Sequence, residues 1–195
     1  LSTSEKVDTT DNILSHTIYT QTDSARVVEL LKIKPTGNDA LFYARKLKGI
    51  PYVASTLEVA DPEQLVVNLR ELDCTTLVET TLALALTKRQ HSDSFADYCH
   101  NLQRLRYWDG QMNGYLSRLH YFSWWWHNNK DKGIIKEVTL PTKYTTVINV
   151  QNNYMSVHPD RYKFLKLHPE WVDCIARMEQ RYNGPDGRYL MEQYT

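Results

Sequence analysis

The sequence predicts a helix-rich α+β fold, and three observations lead to that class. Residues 77–86 form a largely apolar run without Gly or Pro, which is typical of a buried helix. Other segments repeat apolar side chains every three or four residues, as on one face of a helix. The stretch from 134 to 150 is instead rich in β-branched residues, which favour strands.

The first elements follow a polar beginning. Residues 1–12 are rich in Ser, Thr and Asp, so we expect a flexible segment ahead of one domain that spans 13–195. Asp23-Ser24 is a good cap for a helix that ends near Leu31.

A second helix is predicted over residues 40–47 and ends at Gly49, with an apolar stripe of Leu41, Ala44 and Leu47. After the central helix, Ser92 or Asp93 can cap a further helix over 94–106. Its core side chains follow helical spacing: Phe95, Tyr98, Leu102 and Leu105.

The last third of the chain mixes strand and helix signals. Two strands are predicted at 134–140 and 144–150, around a turn at Pro141-Thr142. The dipeptides His158-Pro159 and His168-Pro169 each indicate a helix start, which explains them better than paired metal ligands do. The second of these helices carries an apolar stripe: Trp171, Ile175, Met178 and Tyr182.

Cys74 is the residue whose surroundings most suggest chemistry. It would lie in the first turn of the central helix, where Asp73 is a good N-cap and Thr75 and Thr76 can bond to free amides. The positive end of the helix dipole stabilises a thiolate at this position, which is one way to build a reactive cysteine. The alternative is a small buried core residue, the commoner fate of such a cysteine.

An aromatic cluster between Tyr107 and Trp126 is the second unusual feature. Trp124, Trp125 and Trp126 are consecutive, so they cannot all face one core from a regular element, and at least one should be exposed or line a cleft. A wall that binds saccharides is one interpretation, because aromatic faces stack on sugar rings. A second core or a contact surface is the other.

Composition excludes several classes of function. Lys and Arg together number 23, as do Asp and Glu, so nothing favours a nucleic acid partner. No apolar run approaches the length of a membrane span, and the chain does not begin with a signal-peptide pattern. The three cysteines have no metal-binding spacing. Cys99 and Cys174 could pair, but we expect both to be reduced.

Several distinct motifs follow one another along the chain from about residue 38 to about residue 183, in the same order as in a known family. The first two are Gly49-Ile50-Pro51-Tyr52-Val53 and Asp73-Cys74-Thr75, followed by Ser117-Arg118-Leu119-His120-Tyr121-Phe122-Ser123 and Met155-Ser156-x-His158-Pro159. Together they resemble the N-acetylmuramoyl-L-alanine amidase-like branch of the NlpC-type cell-wall cysteine amidases. That resemblance implies a papain-like core with a helical elaboration.

The resemblance also implies the chemistry and the site. Cys74 would be the nucleophile, with Tyr52 and Asp73 beside it, and the amide between N-acetylmuramic acid and L-Ala of the stem peptide would be hydrolysed without a cofactor or metal. Substrate contact is expected from the later motifs, at Arg118, His120, Tyr121, Ser156 and His158. The implied substrate is a GlcNAc-anhydroMurNAc-peptide released in cell-wall turnover and recycling, and the implied location is the periplasm of a Gram-negative bacterium, after removal of a signal. The oligomeric state is not predicted.

The general base is the missing part of this pattern. Relatives carry it in a His-Val-Gly-type strand motif, and the printed sequence contains none. We therefore expect the domain to be incomplete at its C-terminal end, with that histidine outside this chain, the alternative being a resident histidine such as His120. The competing functions are a non-catalytic muropeptide-binding or glycan-binding module and a stem-peptide endopeptidase.

Overall fold

The computed structural model describes residues 13–138 and 146–189, and side chains as far as residue 186. Its chain forms two compact units, one up to Gly114 and one from Tyr115 onward. The predicted flexible segment 1–12 lies outside the described residues, and a single domain over 13–195 stays a prediction. Helices dominate over strands, as the sequence indicates.

From Thr17 to Gly114, the first unit packs four α-helices beside a very small sheet. The helices are α1 (Gln21–Lys32), α2 (Asp39–Lys46), α3 (Cys74–Arg89) and α4 (Phe95–Arg106), and a 3₁₀ turn follows at Trp108–Gly110. Strands β1 (Thr17–Ile18) and β2 (Leu65–Val66) pair in parallel. These two strands were not predicted, because two residues are too short for an alternating pattern to show.

Helix starts in the first unit are fixed by side-chain caps. Thr20, not Asp23 or Ser24, is the N-cap of α1, and Asp23 completes a capping box from its third position. The cap of α4 is Ser94 and not Ser92 or Asp93. Each real cap is a residue whose side-chain oxygen reaches the amide three positions on. The predicted caps therefore lie one to four residues from the real ones.

The core of the first unit lies between its helices. The predicted core residues Tyr98, Leu102 and Leu105 are buried, and so are Leu30 and Leu31 of α1. Leu41, predicted in the stripe of α2, is 50% exposed, while Tyr43 of that helix is fully buried. The aromatic side chain supplies more apolar area than Leu41 does, and so determines which face of α2 turns inward.

The described part of the second unit consists of short helices and one antiparallel pair of strands that are distant in the sequence. A 3₁₀ turn at Tyr115–Ser117 precedes α5 (Phe122–Asp131), and β3 (Thr146–Val150) leads to α6 (Tyr154–Val157), α7 (Lys163–Leu167) and α8 (Val172–Arg181). Further 3₁₀ turns at Pro159–Arg161 and Pro169–Trp171 begin at the two His-Pro dipeptides, so both predicted starts are confirmed. Strand β4 (Gly184–Tyr189) ends the described chain.

The predicted pairing of strands 134–140 and 144–150 is wrong. β3 lies within the predicted strand 144–150, but it pairs antiparallel with β4, which lies more than thirty residues later. Residues 134–138 form no strand, and residues 139–145, which include the predicted turn and the adjoining strand ends, lie outside the described residues. β-Branched composition detects a strand but carries no information about which segment bonds to it.

The aromatic cluster is mostly structural. Trp124 is fully buried and Trp125 is 5% exposed, whereas Trp126 is half-buried and Phe122 is 72% exposed. A separate core in the same unit contains Tyr115, Met155, Phe164, Leu165 and Ile175. Within the described ranges, no helix has both the length and the apolar character that a bilayer crossing requires.

Candidate active site

The two motifs around the cysteine are joined by main-chain hydrogen bonds. Leu72 N–H donates to the Pro51 carbonyl at 3.1 Å, and Val53 N–H donates to the Leu72 carbonyl at 3.2 Å. This parallel bridge aligns Tyr52 with Leu72, two residues before Cys74. Pro51 restricts the residue before it, Ile50, to an extended backbone, which leads the chain into this bridge. The Gly-x-Pro-Tyr segment is thereby fixed next to the start of α3.

Asp73 caps the helix that carries the cysteine. Its Oδ1 accepts from Thr76 N–H at 2.7 Å and from the Thr76 hydroxyl at 2.8 Å, while Thr76 Oγ1 accepts from Asp73 N–H at 2.8 Å. The predicted helix start is therefore confirmed, with a complete capping box. This commits one carboxylate oxygen of Asp73 to holding the first turn.

Cys74 is the first residue of α3, and it is exposed. The alternative of a small core residue is therefore wrong for this cysteine. The backbone N–H groups of Cys74 and Thr75 have no hydrogen bond within the described part of the chain, as expected for the first turn of a helix. Such amides are the donors that could hold a developing oxyanion next to the sulfur.

Cys74 opens onto a cavity of about 550 Å³. The cavity is lined by Tyr52, Asp73, Leu72 and Leu77, and by residues 44–50 apart from Lys46. Tyr52 is 70% exposed, so its ring stands at the cavity rather than in the core. The three catalytic residues expected from the sequence, Cys74, Tyr52 and Asp73, thus meet at one surface.

The chemistry available in this cavity is nucleophilic. An exposed thiol at a capped helix start, with unbonded amides beside it, can attack a carbonyl and stabilise the resulting oxyanion. Within 13–138 and 146–189, no histidine lines the cavity. A histidine that could accept the proton of the thiol is therefore not among the lining residues in the described part of the molecule.

Ser55 follows this segment in a strained conformation. Its φ is +63°, in the left-handed region that glycine adopts without steric cost. A serine at this angle carries a steric cost that glycine would not have.

The three cysteines differ in accessibility, and this predicts a labelling experiment. Cys74 is exposed, Cys174 is half-buried, and Cys99 is fully buried. Burial also raises the pKa of Cys99 to about 12, which leaves very little thiolate there at neutral pH. We expect iodoacetamide at pH 7.5 to label Cys74 first, at least about tenfold faster than Cys99.

Peptide mapping after timed quenching would measure these rates. Labelling of Cys99 should accelerate only in denaturant, which provides the internal control. Equal rates for Cys74 and Cys99 in the native protein would contradict the exposed helix start. All three thiols are free, in agreement with the expected reduced state of Cys99 and Cys174.

In the second unit, the later motifs meet on a residue that the sequence did not single out. Glu179 is 1% exposed, and its Oε1 accepts from the Tyr121 hydroxyl at 2.5 Å and from the amides of Met155 and Ser156, each at 3.2 Å. The Ser156 hydroxyl donates to its Oε2. Burial and the bond to Glu179 both raise the pKa of Tyr121 well above its usual range.

Glu179 therefore holds together the motif that contains Tyr121 and the motif that contains Ser156. The only sequence signal was a Glu on the apolar side of α8, four residues after Ile175. A charged residue at a position with core periodicity is informative, because buried carboxylates need several donors.

Arg118 and His120 form a second group, around Tyr115. The Arg118 guanidinium carbon lies 5.0 Å from the centre of the Tyr115 ring, and the His120 ring lies 4.4 Å from it. His120 Nε2 is 2.9 Å from the Tyr115 carbonyl oxygen, which can only accept, so this nitrogen carries the proton. Burial, and then the charge of Arg118, lowers the pKa of His120 to about 3.

A histidine with that pKa is neutral at pH 7 and a weak base, which disfavours His120 as a substitute proton acceptor. His158, the last predicted substrate contact, is exposed, and its ring lies 4.6 Å from that of Tyr154. Substrate contact by Arg118, His120, Tyr121, Ser156 and His158 stays a prediction. Across the described residues, no three His, Cys, Asp or Glu side chains gather in a way that could hold a metal ion.

One family model and several solved structures match this chain. The family model described as AmiA-like, N-acetylmuramoyl-L-alanine amidase-like, matches residues 43–193. A crystal structure named as an N-acetylmuramoyl-L-alanine amidase from Bacteroides uniformis is 40% identical, with a TM-score of 0.72. The match covers 80% of this chain and 65% of that one.

Two further solved structures are similar. One, from Bacteroides fragilis and named as a candidate xylanase, is 44% identical with a TM-score of 0.65, over 72% of this chain and 60% of that one. The other is a second Bacteroides uniformis amidase structure, 37% identical with a TM-score of 0.66, over 78% and 62%.

The chain thus spans less than two thirds of the length of each of these three structures. No curated protein matches it. The family match includes the Gly-x-Pro-Tyr segment, the capped helix of Cys74 and the two motifs that meet on Glu179. The chain therefore belongs to the AmiA-like family of N-acetylmuramoyl-L-alanine amidase-like proteins.

Proposed function

We propose that this chain provides the nucleophile of a peptidoglycan amidase. The substrate is a muropeptide, preferably one with an anhydro-N-acetylmuramic acid end, and the bond hydrolysed joins the lactyl group of that sugar to L-Ala. The protein acts in the periplasm during cell-wall recycling, and its core is of the NlpC papain-like type. The observation that carries the proposal is the exposed Cys74 at a capped helix start, beside Tyr52 on one cavity.

The reaction follows from the chemistry of that cysteine. The thiolate of Cys74 attacks the lactyl carbonyl carbon, and the amides of Cys74 and Thr75 stabilise the oxyanion. The carbon–nitrogen bond then breaks, and the leaving amine of L-Ala takes a proton from a histidine. Water hydrolyses the resulting thioester, which frees the lactyl carboxylate and restores the thiol. We expect that histidine in the part of the relatives that this chain does not span.

The name of the Bacteroides fragilis structure raises a glycoside hydrolase as a second candidate. Hydrolysis of a glycosidic bond ordinarily needs two carboxyl groups that flank it. Within the described ranges, Asp73 is the single carboxylate on the Cys74 cavity, and one of its oxygens caps α3. The site therefore supports acyl transfer better than glycoside hydrolysis.

The test is to incubate the chain with a disaccharide anhydro-muropeptide and identify the products by mass spectrometry. We expect free disaccharide and an intact peptide that begins with L-Ala, and slower release from a matched muropeptide with a reduced, non-anhydro sugar. A parallel reaction with added imidazole supplies a diffusible base in case the histidine is absent.

Other products would contradict the proposal in distinct ways. Cleavage between stem-peptide residues would indicate an endopeptidase, and free monosaccharides would indicate a glycosidase. Binding of the muropeptide without any cleavage, with or without imidazole, would indicate a non-catalytic module.

A further inference from the structure

A second cavity adjoins the one at Cys74 and differs from it in charge. It measures about 450 Å³, and residues 48–50 line both cavities. Its lining includes four cationic side chains, Arg26, Lys46, Lys48 and Arg70, against a single carboxylate, Asp23. The whole chain has no formal net charge, so this excess of three positive charges is a local feature.

Asp23 is occupied in holding the cavity wall. It is 1% exposed and accepts bonds from the Thr20 hydroxyl at 2.6 Å, from Leu69 N–H at 2.9 Å and from Arg70 Nε at 3.3 Å. Burial alone would raise the pKa of Asp23, but these hydrogen bonds and the Arg70 charge together hold it below its usual range. Asp23 therefore stays ionised and orients Arg70 at neutral pH.

Several of these cationic side chains have hydrogen-bond donors that no described residue uses. Arg70 uses Nε for Asp23 while its side chain is 53% exposed, so within the described residues its two terminal nitrogens have no protein partner. The Lys48 side chain has no ion pair there either, and Lys46 Nζ lies 5.4 Å from the centre of the Phe42 ring. Arg26 forms an ion pair with Glu29, with 2.8 Å between Arg26 Nη1 and Glu29 Oε2. A planar guanidinium with free terminal nitrogens is suited to a carboxylate.

We propose that this cationic cavity binds the free carboxylates of the stem peptide, on the leaving-group side of the amide that Cys74 attacks. The inference rests on the proposed function for the identity of the ligand. In a muropeptide the lactyl carboxyl is consumed in the amide, so free carboxylates occur only on the peptide side. A ligand that crosses residues 48–50 reaches both the thiol and the cations.

Binding can be tested without cleavage, by titrating the ¹⁵N-labelled chain with the dipeptide L-Ala-D-Glu, whose two carboxyls are both free, and following amide chemical shifts. We expect shifts at Gly49 and Arg70, binding that weakens about threefold between 50 and 200 mM salt, and no binding of the diamide in which both carboxyls are neutralised. The double variant Lys46→Gln/Lys48→Gln should bind about tenfold more weakly.

Lys34→Gln is the matched control, because this exposed lysine does not line the cavity. It should leave the affinity unchanged. Equal binding of the dipeptide and its diamide would overturn the proposal, as would equal loss in the control and the double variant. Saturation of the cavity by inorganic phosphate, with no competition from the dipeptide, would assign it to a phosphate group instead.

The binding result and the cleavage result are independent. A chain that binds the dipeptide at these residues but cleaves no muropeptide, even with added imidazole, keeps the carboxylate site and loses the proposed amidase activity. A chain that cleaves the muropeptide but shows no shifts at this cavity keeps the amidase and loses the carboxylate site.

Discussion

Replacement of Cys74 by Ala is expected to abolish amide hydrolysis, with a loss of at least about 10⁴-fold in kcat. The thiolate is the only protein group that bonds to the carbonyl carbon in the proposed reaction, so no neighbouring side chain takes its place. Because Cys74 is exposed at the first position of α3, truncation to Ala leaves no buried cavity, and the fold should be unaffected. Muropeptide turnover with added imidazole, measured by mass spectrometry beside the unmodified chain under the same conditions, checks the prediction.

Two variants make the result specific. Cys174→Ala removes a half-buried thiol and should retain full turnover, which controls for general handling of a cysteine variant. Cys74→Ala should still bind the muropeptide, because the wall of the cavity is intact. Turnover of the Cys74→Ala variant within tenfold of the parent would refute the cysteine as nucleophile while leaving the family assignment in place.

The helix start at Cys74 could be predicted from sequence because its signals are local. An N-cap, a cysteine and a Gly-free apolar run lie within a few residues, and the structure has the capped helix at Cys74. The position of Tyr52 and the Gly-x-Pro-Tyr segment could not be predicted from local signals, and only the resemblance placed them beside the cysteine. Main-chain hydrogen bonds of Pro51, Val53 and Leu72 make the contact. Main-chain bonds of this kind are invisible in side-chain patterns.

What sequence reasoning missed depends on contacts between distant positions. Glu179 lies 58 residues after Tyr121, which donates to it, and no periodicity links the two. The same holds for β4 as partner of β3, and for Asp23, which reaches Leu69 across 46 residues. In each case a buried polar group or strand edge needs a partner, but the sequence does not say which segment supplies it. These partners can be identified only from the three-dimensional structure.

Replacement of Glu79 by Gln should cost about 3–5 kcal/mol of unfolding free energy, a large share of the roughly 5–15 kcal/mol that a typical domain has. Glu79 and Arg106 are both almost fully buried, and Glu79 Oε2 is 2.7 Å from Arg106 Nε. Arg106 Nη1 also donates to the Val66 carbonyl at 2.7 Å, so the pair joins α3, α4 and β2. The neutral variant leaves a buried guanidinium without its counter-charge.

Urea unfolding followed by circular dichroism measures the change, and a surface ion pair in the same unit provides the control. Arg89 and Asp39 lie 2.9 Å apart with side chains 63% and 27% exposed, so Asp39→Asn should cost no more than about 1 kcal/mol. If Glu79→Gln cost as little as that control, the buried pair would contribute no more than an exposed one. The expected difference arises from burial, since water screens the charges of the surface pair and has no access to those of Glu79 and Arg106. If the expected loss is measured, the stability of the helix that presents Cys74 depends on an ion pair at Glu79, only five residues further along α3.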